Sequence, residues 1–443
     1  MEPMKTSAHN GPKNGSADKP EQTLAHRLIS KAANVSTVTT GDVVVCNVDL
    51  AMIHDSGGPR RVKPILERLN RGVWDKDRVV VVTDHYVPAD TAETKAIQEL
   101  TKAWVIDQDI KNFYDEQGIC HIVLPERGHL SPGMFCVGGD SHSPTGGAFG
   151  AYMFGIGATE MAGVLATGSI WLKVPETILI RWDNQLPKFV TTKDMMLSVC
   201  RKIGMGGGRY QAIQYAGDAI ASLSMQDRMT MSNMAAELGA QAGLIAPDQT
   251  TMDYIKNAGG IVPDDWQDFQ IAIAENANNE ITCDAATLSP QIAAPHSPAN
   301  SDDAINFSNT GFDLAYIGAC TGAKYVDLAA AATVLQGKKI ASGITLKVAP
   351  ASLQDQNRAR DDGIMKILED AGAQFLGNAC GICAGYGDDR LLKDQVCLSS
   401  TARNFQGRMG ATSSKVYLAS PYTVAASAVA GTMIDPRDFM GAE

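Results

Sequence analysis

Short apolar runs bounded by glycines and polar clusters recur along this chain. The clearest is Arg78-Val-Val-Val-Val-Thr83, which leads straight into Asp84-His85. An unbroken run of that length predicts a strand buried on both faces. Val43-Val-Val-Cys-Asn-Val48 predicts a second buried strand. A short helix carrying His54 and Asp55 is expected after it, before Gly57-Gly-Pro59 breaks the pattern. Ile119-Cys-His-Ile-Val-Leu124 predicts a strand bearing His121, and Met134-Phe-Cys-Val137 a strand ending in Gly138-Gly-Asp-Ser-His142. Glu176 to Trp182 alternates like a half-exposed strand. Thr191 to Ile203 and Asp248 to Ala258 read as capped helices. Gly146 to Gly168 is long and apolar enough to raise a membrane span. Glu160 lies inside it and Gly recurs throughout, so a packed helix or glycine-rich turn is expected. Met and Ala at helical spacing between Arg228 and Leu244 read as core.

Between about Asp284 and Asn309 the sequence turns rich in Pro, Ser, Asn and Asp, the composition of a linker. Behind it, Leu314 to Cys320 predicts a strand and turn, Val326 to Leu335 a helix, Thr345 onward a strand, and Gln354 to Ala371 a helix. Alternating strands and helices predict an α/β fold. In such folds, chemistry collects just beyond the carboxyl ends of parallel strands. Three polar clusters of that kind carry His85, His121 and His142.

Composition narrows the functional classes. With 443 residues, 44% apolar and 20% charged, the chain is an ordinary globular protein large enough for several domains. A net charge of −11 argues against non-specific nucleic-acid binding. Nine irregularly spaced cysteines are not a disulfide framework and point to a reducing compartment. Met1 to Pro20 is polar, with no apolar signal core and no Arg, so a disordered tail and a cytoplasmic location are expected. A mitochondrial presequence has little support.

The thiols carry the most specific chemistry. Cys320 lies in Ile317-Gly-Ala-Cys-Thr-Gly322, expected near a helix N-terminus where a thiolate is favoured. Cys380 and Cys383 lie in Asn378-Ala-Cys-Gly-Ile-Cys-Ala-Gly385. Two thiols at C-x-x-C spacing and a distant third suggest a metal site with three protein ligands. A cubane cluster usually has four thiolates, so three would leave one iron open. The spacing alone equally fits a redox pair or half a zinc site. Asp140-Ser-His142 suggests a hydrolase triad, but no G-x-S-x-G elbow surrounds Ser141.

Taken together, Gly139-Asp-Ser-His-Ser-Pro-Thr-Gly-Gly-Ala-Phe-Gly150, Cys320-Thr, Cys380-Gly-Ile-Cys383 and Arg403-Asn-Phe-Gln-Gly-Arg408 resemble the aconitase superfamily. The closer likeness is to the large subunits of 3-isopropylmalate dehydratase and homoaconitase, over about Thr23 to Phe439. The resemblance implies a three-domain core around a 4Fe–4S cluster, lacking the fourth, swivelling domain. Its layout here would be a tail at 1–22, domains at 23–184 and 185–290, a linker at 291–309, and a third domain at 310–443. It implies a separate small subunit that supplies the missing part, and a small carboxylate substrate undergoing dehydration or isomerisation. Asp84, His85, His121, Asp140 and His142 would be catalytic. His54, Ser141, Gln214, Arg403 and Arg408 would bind substrate, and Cys320, Cys380 and Cys383 would hold the cluster.

Three positions depart from the pattern: Gly322 and Ala402 replace Asn, and Gln214 replaces Glu. Glutamine cannot ionise, so altered acid–base chemistry in the same fold is a rival expectation. An RNA-binding regulatory protein and a zinc or thiol-redox protein are two more.

Overall fold

The computed structural model describes residues 22–270 and 279–441. The expected tail, apart from Gln22, lies outside the described residues.

The fold is α/β, as read from the alternation of elements. One five-stranded, all-parallel sheet runs in the order Asn112–Asp115, Val79–Thr83, Leu50–His54, Phe135–Gly138, Tyr152–Gly155. Val79–Thr83 is buried along its whole length, as an unbroken run of valines requires. The chain enters this sheet at Leu50–His54, moves outward through two strands, and returns to the other side at Phe135–Gly138. A crevice opens outside the carboxyl ends of strands where the winding reverses. His54, Asp84-His85 and Asp140 all sit at or just past those ends.

A second sheet is also parallel, in the order Ala242–Ile245, Ala212–Ala216, Thr177–Asp183, Asn279–Asp284. The third has seven strands. Its parallel part winds from Leu314–Ile317 out through Thr345–Val348 and Gln374–Phe375, then back to Val396–Ser399 and Lys415–Ala419. It therefore reverses beside Leu314–Ile317. Cys320 follows one of the two strands flanking that reversal, and Arg403 follows the other. The first and third sheets meet through backbone contacts. Cys380 N–H donates to Asp84 O at 2.8 Å and Ile119 N–H to Ala351 O at 2.9 Å.

Several local expectations change. His121 stands on a helix, Cys120–Glu126, not on a strand. A short, wholly buried apolar run does not distinguish the two by periodicity, and the sheet edge there is taken by Asn112–Asp115. His54 ends a strand and does not begin a helix. The run at Val43–Asn47 forms a separate two-stranded ribbon with Ser169–Lys173, and Val43 and Val45 face solvent. Gly146 to Gly168 divides into a 3₁₀ turn (Ser143–Phe149), a strand (Tyr152–Gly155) and a helix (Ala158–Thr167). Among the described residues no helix is long and apolar enough to cross a membrane. Residues 291–309, composed like a linker, hold Gln291–Ala293 and Ser301–Asp303, which extend the third sheet in antiparallel fashion.

Candidate active site and thiol centre

The two sheet reversals bring their polar groups together. Asp84 and His85 share a 2.6 Å contact between Oδ1 and Nδ1. Burial works to raise Asp84, but the charge and hydrogen bond of His85 bring it down to about 2. Burial likewise works to lower His85, and Asp84 overrides this and holds it near 9. The imidazole is thus an imidazolium at neutral pH, a proton donor kept charged by its neighbour. Asp55 fixes the turn from behind, accepting N–H bonds from His85 at 3.1 Å and Tyr86 at 2.8 Å. His54 stacks on His85 with ring centroids 4.1 Å apart, and its Nε2 lies 3.1 Å from Gly139 O. Burial and the His85 charge lower its pKa, so the stacked pair holds one charged and one neutral ring.

Asp140 is the hinge of a second group. Its Oδ1 lies 2.8 Å from His121 Nε2 and accepts the His142 N–H at 2.8 Å. Despite burial, the two histidines hold its carboxyl well below the usual range. His142 Nε2 lies 2.9 Å from Glu237 Oε1, and Arg403 Nε donates to the same oxygen at 2.8 Å. Arg403 Nη1 also donates to Ser141 Oγ at 2.8 Å. Asp140, Ser141 and Arg403 line a cavity of about 340 Å³, the scale of a small-ligand site.

The three thiols lie against this group. Ala319 adopts φ 71°, a left-handed conformation a non-glycine residue rarely takes, immediately before Cys320. Cys320 precedes the helix Tyr325–Leu335 by several residues, so it does not sit at the helix N-terminus as expected. Burial pushes its thiol up to about 12. Asn233 Nδ2 approaches Cys320 Sγ at 3.2 Å. Interaction with Cys380 lowers Cys383 to about 5 and raises Cys380, and the Arg408 charge lowers Cys383 as well. Three thiols, one of them approached by the Asn233 amide, are the soft donor type that iron–sulfur clusters take.

Of the residues singled out from sequence, Gln214 stands apart. It lies on the Ala212–Ala216 strand and lines a separate cavity with Arg181, Arg228 and Asp248, which none of the other candidates line. The buried carboxylate beside the histidines is Glu237. It was hidden in the Met- and Ala-rich stretch read as core, where a lone acid in an apolar helical run was the available signal. Asn233, from the same stretch, was missed for the same reason. The Cys120 thiol also faces Asp84, and burial and that charge push it well up.

The aconitase family model (aconitate hydratase) matches residues 27–310 and 301–431. The chain belongs to the aconitase family. It is 40% identical to 3-isopropylmalate dehydratase large subunit 1 of Methanopyrus kandleri, covering 95% of this chain and all of that protein. It is 37% identical to the probable methanogen homoaconitase large subunit of Methanothermobacter thermautotrophicus, over 94% of this chain and 98% of that one. A methanogen homoaconitase large subunit from Methanocaldococcus jannaschii is 38% identical over 94% of this chain and 100% of its own length. The crystal structure of Thermococcus kodakaraensis aconitase X in its holo-form is a weak match, with TM-score 0.46 and 12% identity over 81% of this chain and 84% of that one. As an aconitase-family enzyme the chain is a hydro-lyase.

Proposed function

We propose that this chain is the large subunit of a hydro-lyase that dehydrates, or isomerises by dehydration and rehydration, a small 2-hydroxy di- or tricarboxylate. The observation that carries the reading is the convergence of Cys320, Cys380 and Cys383 on the Asp84–His85 and Asp140–His121–His142 groups. The thiols would hold a 4Fe–4S cluster, which supplies a Lewis acid for the substrate hydroxyl when bound.

The chain's own residues take the remaining parts. His85, kept protonated by Asp84, donates a proton from Nε2 to the departing hydroxyl. Asp140 and Glu237 orient His121, His142 and Arg403 around the same space. Arg403 and Arg408 bind substrate carboxylate by charge-assisted hydrogen bonds, and Ser141 adds a hydroxyl. A separate small subunit would complete the site and supply the base for the carbon-bound proton. The relatives are themselves named large subunits.

The departure at Gly322 has a packing reason. A Cβ at Gly322 would overlap Ser400, so the asparagine of the family pattern has no place there.

Anaerobic reconstitution with iron and sulfide, together with a small subunit, tests the reading. Candidate 2-hydroxy acids should yield the ultraviolet absorbance of an unsaturated acid. Absence of turnover across the series with a fully loaded cluster would contradict it.

A further inference from the structure

Lys193 sits where a cation is disfavoured twice. It lies in the first turn of Thr192–Ile203, where the helix dipole opposes positive charge. It is also only 2% exposed. Its Nζ makes no ion pair among the described residues. It donates instead to Thr321 Oγ1 at 3.2 Å, to Ser400 O at 3.0 Å and to Thr401 O. Burying an ammonium without a carboxylate partner is strongly unfavourable. A methionine would fill similar volume without that cost, so packing does not explain the residue.

The acceptors explain it better. Thr321 directly follows Cys320, and Ser400 and Thr401 lead into Arg403. The two loops are also tied to each other: Ser400 Oγ accepts the Gly318 N–H at 3.0 Å, and Thr321 Oγ1 donates to Ser400 O at 3.3 Å. Lysine brings a third element, from another sheet's helix, into the same junction with three donors on one atom. Its field reaches Cys320, Glu237 and Asp327, with Lys324 as the opposing cation.

We propose that Lys193 is a positioning residue that locks the Cys320 and Arg403 loops together and places a positive charge behind Cys320, offsetting the negative charge of a thiolate-held cluster. The proposal rests on the cluster assignment above. Cluster potentials respond to nearby charge and to hydrogen bonds around the sulfurs. Residues that orient metal ligands from behind typically contribute about 10–100-fold in metal affinity.

The test compares the full wild-type chain with Lys193→Met and Lys193→Arg, each reconstituted anaerobically with iron and sulfide. The Met variant should lose iron to a chelator about 10–100-fold faster, and its cluster midpoint potential should move negative. The Arg variant should keep a potential close to wild type. A Met variant with wild-type iron loss and potential overturns the proposal. So does one that only melts earlier with its potential unmoved, since that is a structural contact alone. Should the Met variant not fold, Lys193→Gln drops the charge while keeping a donor and is read in the same way. A wild-type chain that takes up no sulfide overturns the cluster assignment and this proposal with it. A loaded wild type with unaltered variants overturns this proposal alone.

Discussion

Arg403 Nε and His142 Nε2 meet on one oxygen of Glu237, at 2.8 and 2.9 Å. One buried carboxylate, on the 3₁₀ turn Ala235–Leu238 between two strands of the second sheet, thus joins a loop of the third sheet to a turn of the first. Glu237→Gln keeps the shape and removes the charge that Arg403 and His142 share. Breaking a buried pair from one side typically destabilises by about 3 kcal/mol. Urea unfolding should show a loss of that size, and turnover in the assembled enzyme should fall at least about 100-fold. Unchanged stability and rate would remove Glu237 from the site.

A pair of buried carboxyl groups, Glu126 and Asp355, predicts how stability responds to pH. Glu126 Oε1 accepts from Ser352 Oγ at 2.6 Å, and burial followed by the charge of Asp355 raises Glu126 to about 8. Its folded pKa exceeds its unfolded one, so the folded chain binds the extra proton. Stability contributed by this group is full below about pH 4.5 and is lost as pH climbs towards 8, at no more than about 1.4 kcal/mol per pH unit. Chemical denaturation at pH 5, 6.5 and 8 should show the decline from this group. Glu126→Gln should flatten it.

Gly322 gives a packing prediction. An added Cβ would overlap the Cβ, Oγ and carbonyl oxygen of Ser400. Gly322→Asn, which restores the family pattern, should therefore destabilise by about 1–3 kcal/mol. Adding Ser400→Gly relieves the side-chain overlap and leaves the carbonyl, so it should recover only part of the loss. Thermal melts of the two variants check this.

How much of this was legible in the sequence varied with the kind of signal. Val79–Thr83 and the Asp84-His85 turn were readable because an unbroken valine run followed by polar residues has few alternative readings. Cys320, Cys380, Cys383, Arg403 and Arg408 stand out in the sequence through local motifs. His121 was recognised, but its helix was not, since buried helix and buried strand look alike over seven residues. Glu237 and Asn233 escaped because their partners lie far away in the chain. Glu237 is 166 residues from Arg403, and only the folded sheets bring such groups together. Gln214 was weighed as a lost acid at the site, yet its strand sits in the second sheet beside another cavity.

Cysteine substitution separates the ligand thiols from the thiol beside Asp84. Cys383→Ser should abolish stable iron and sulfide uptake, because it removes one of the three proposed ligands. Cys120→Ser should load normally. Iron retained at wild-type level in the Cys383 variant would contradict the three-ligand assignment.

Cys320, Cys380 and Cys383 are proposed to hold a cluster beside the acid and imidazole groups. An anaerobic count of iron and acid-labile sulfide on the purified, reconstituted wild-type chain tests it most directly. The predicted result is about four of each per chain, in a brown protein. Zinc in their place, or iron with no sulfide, would contradict it.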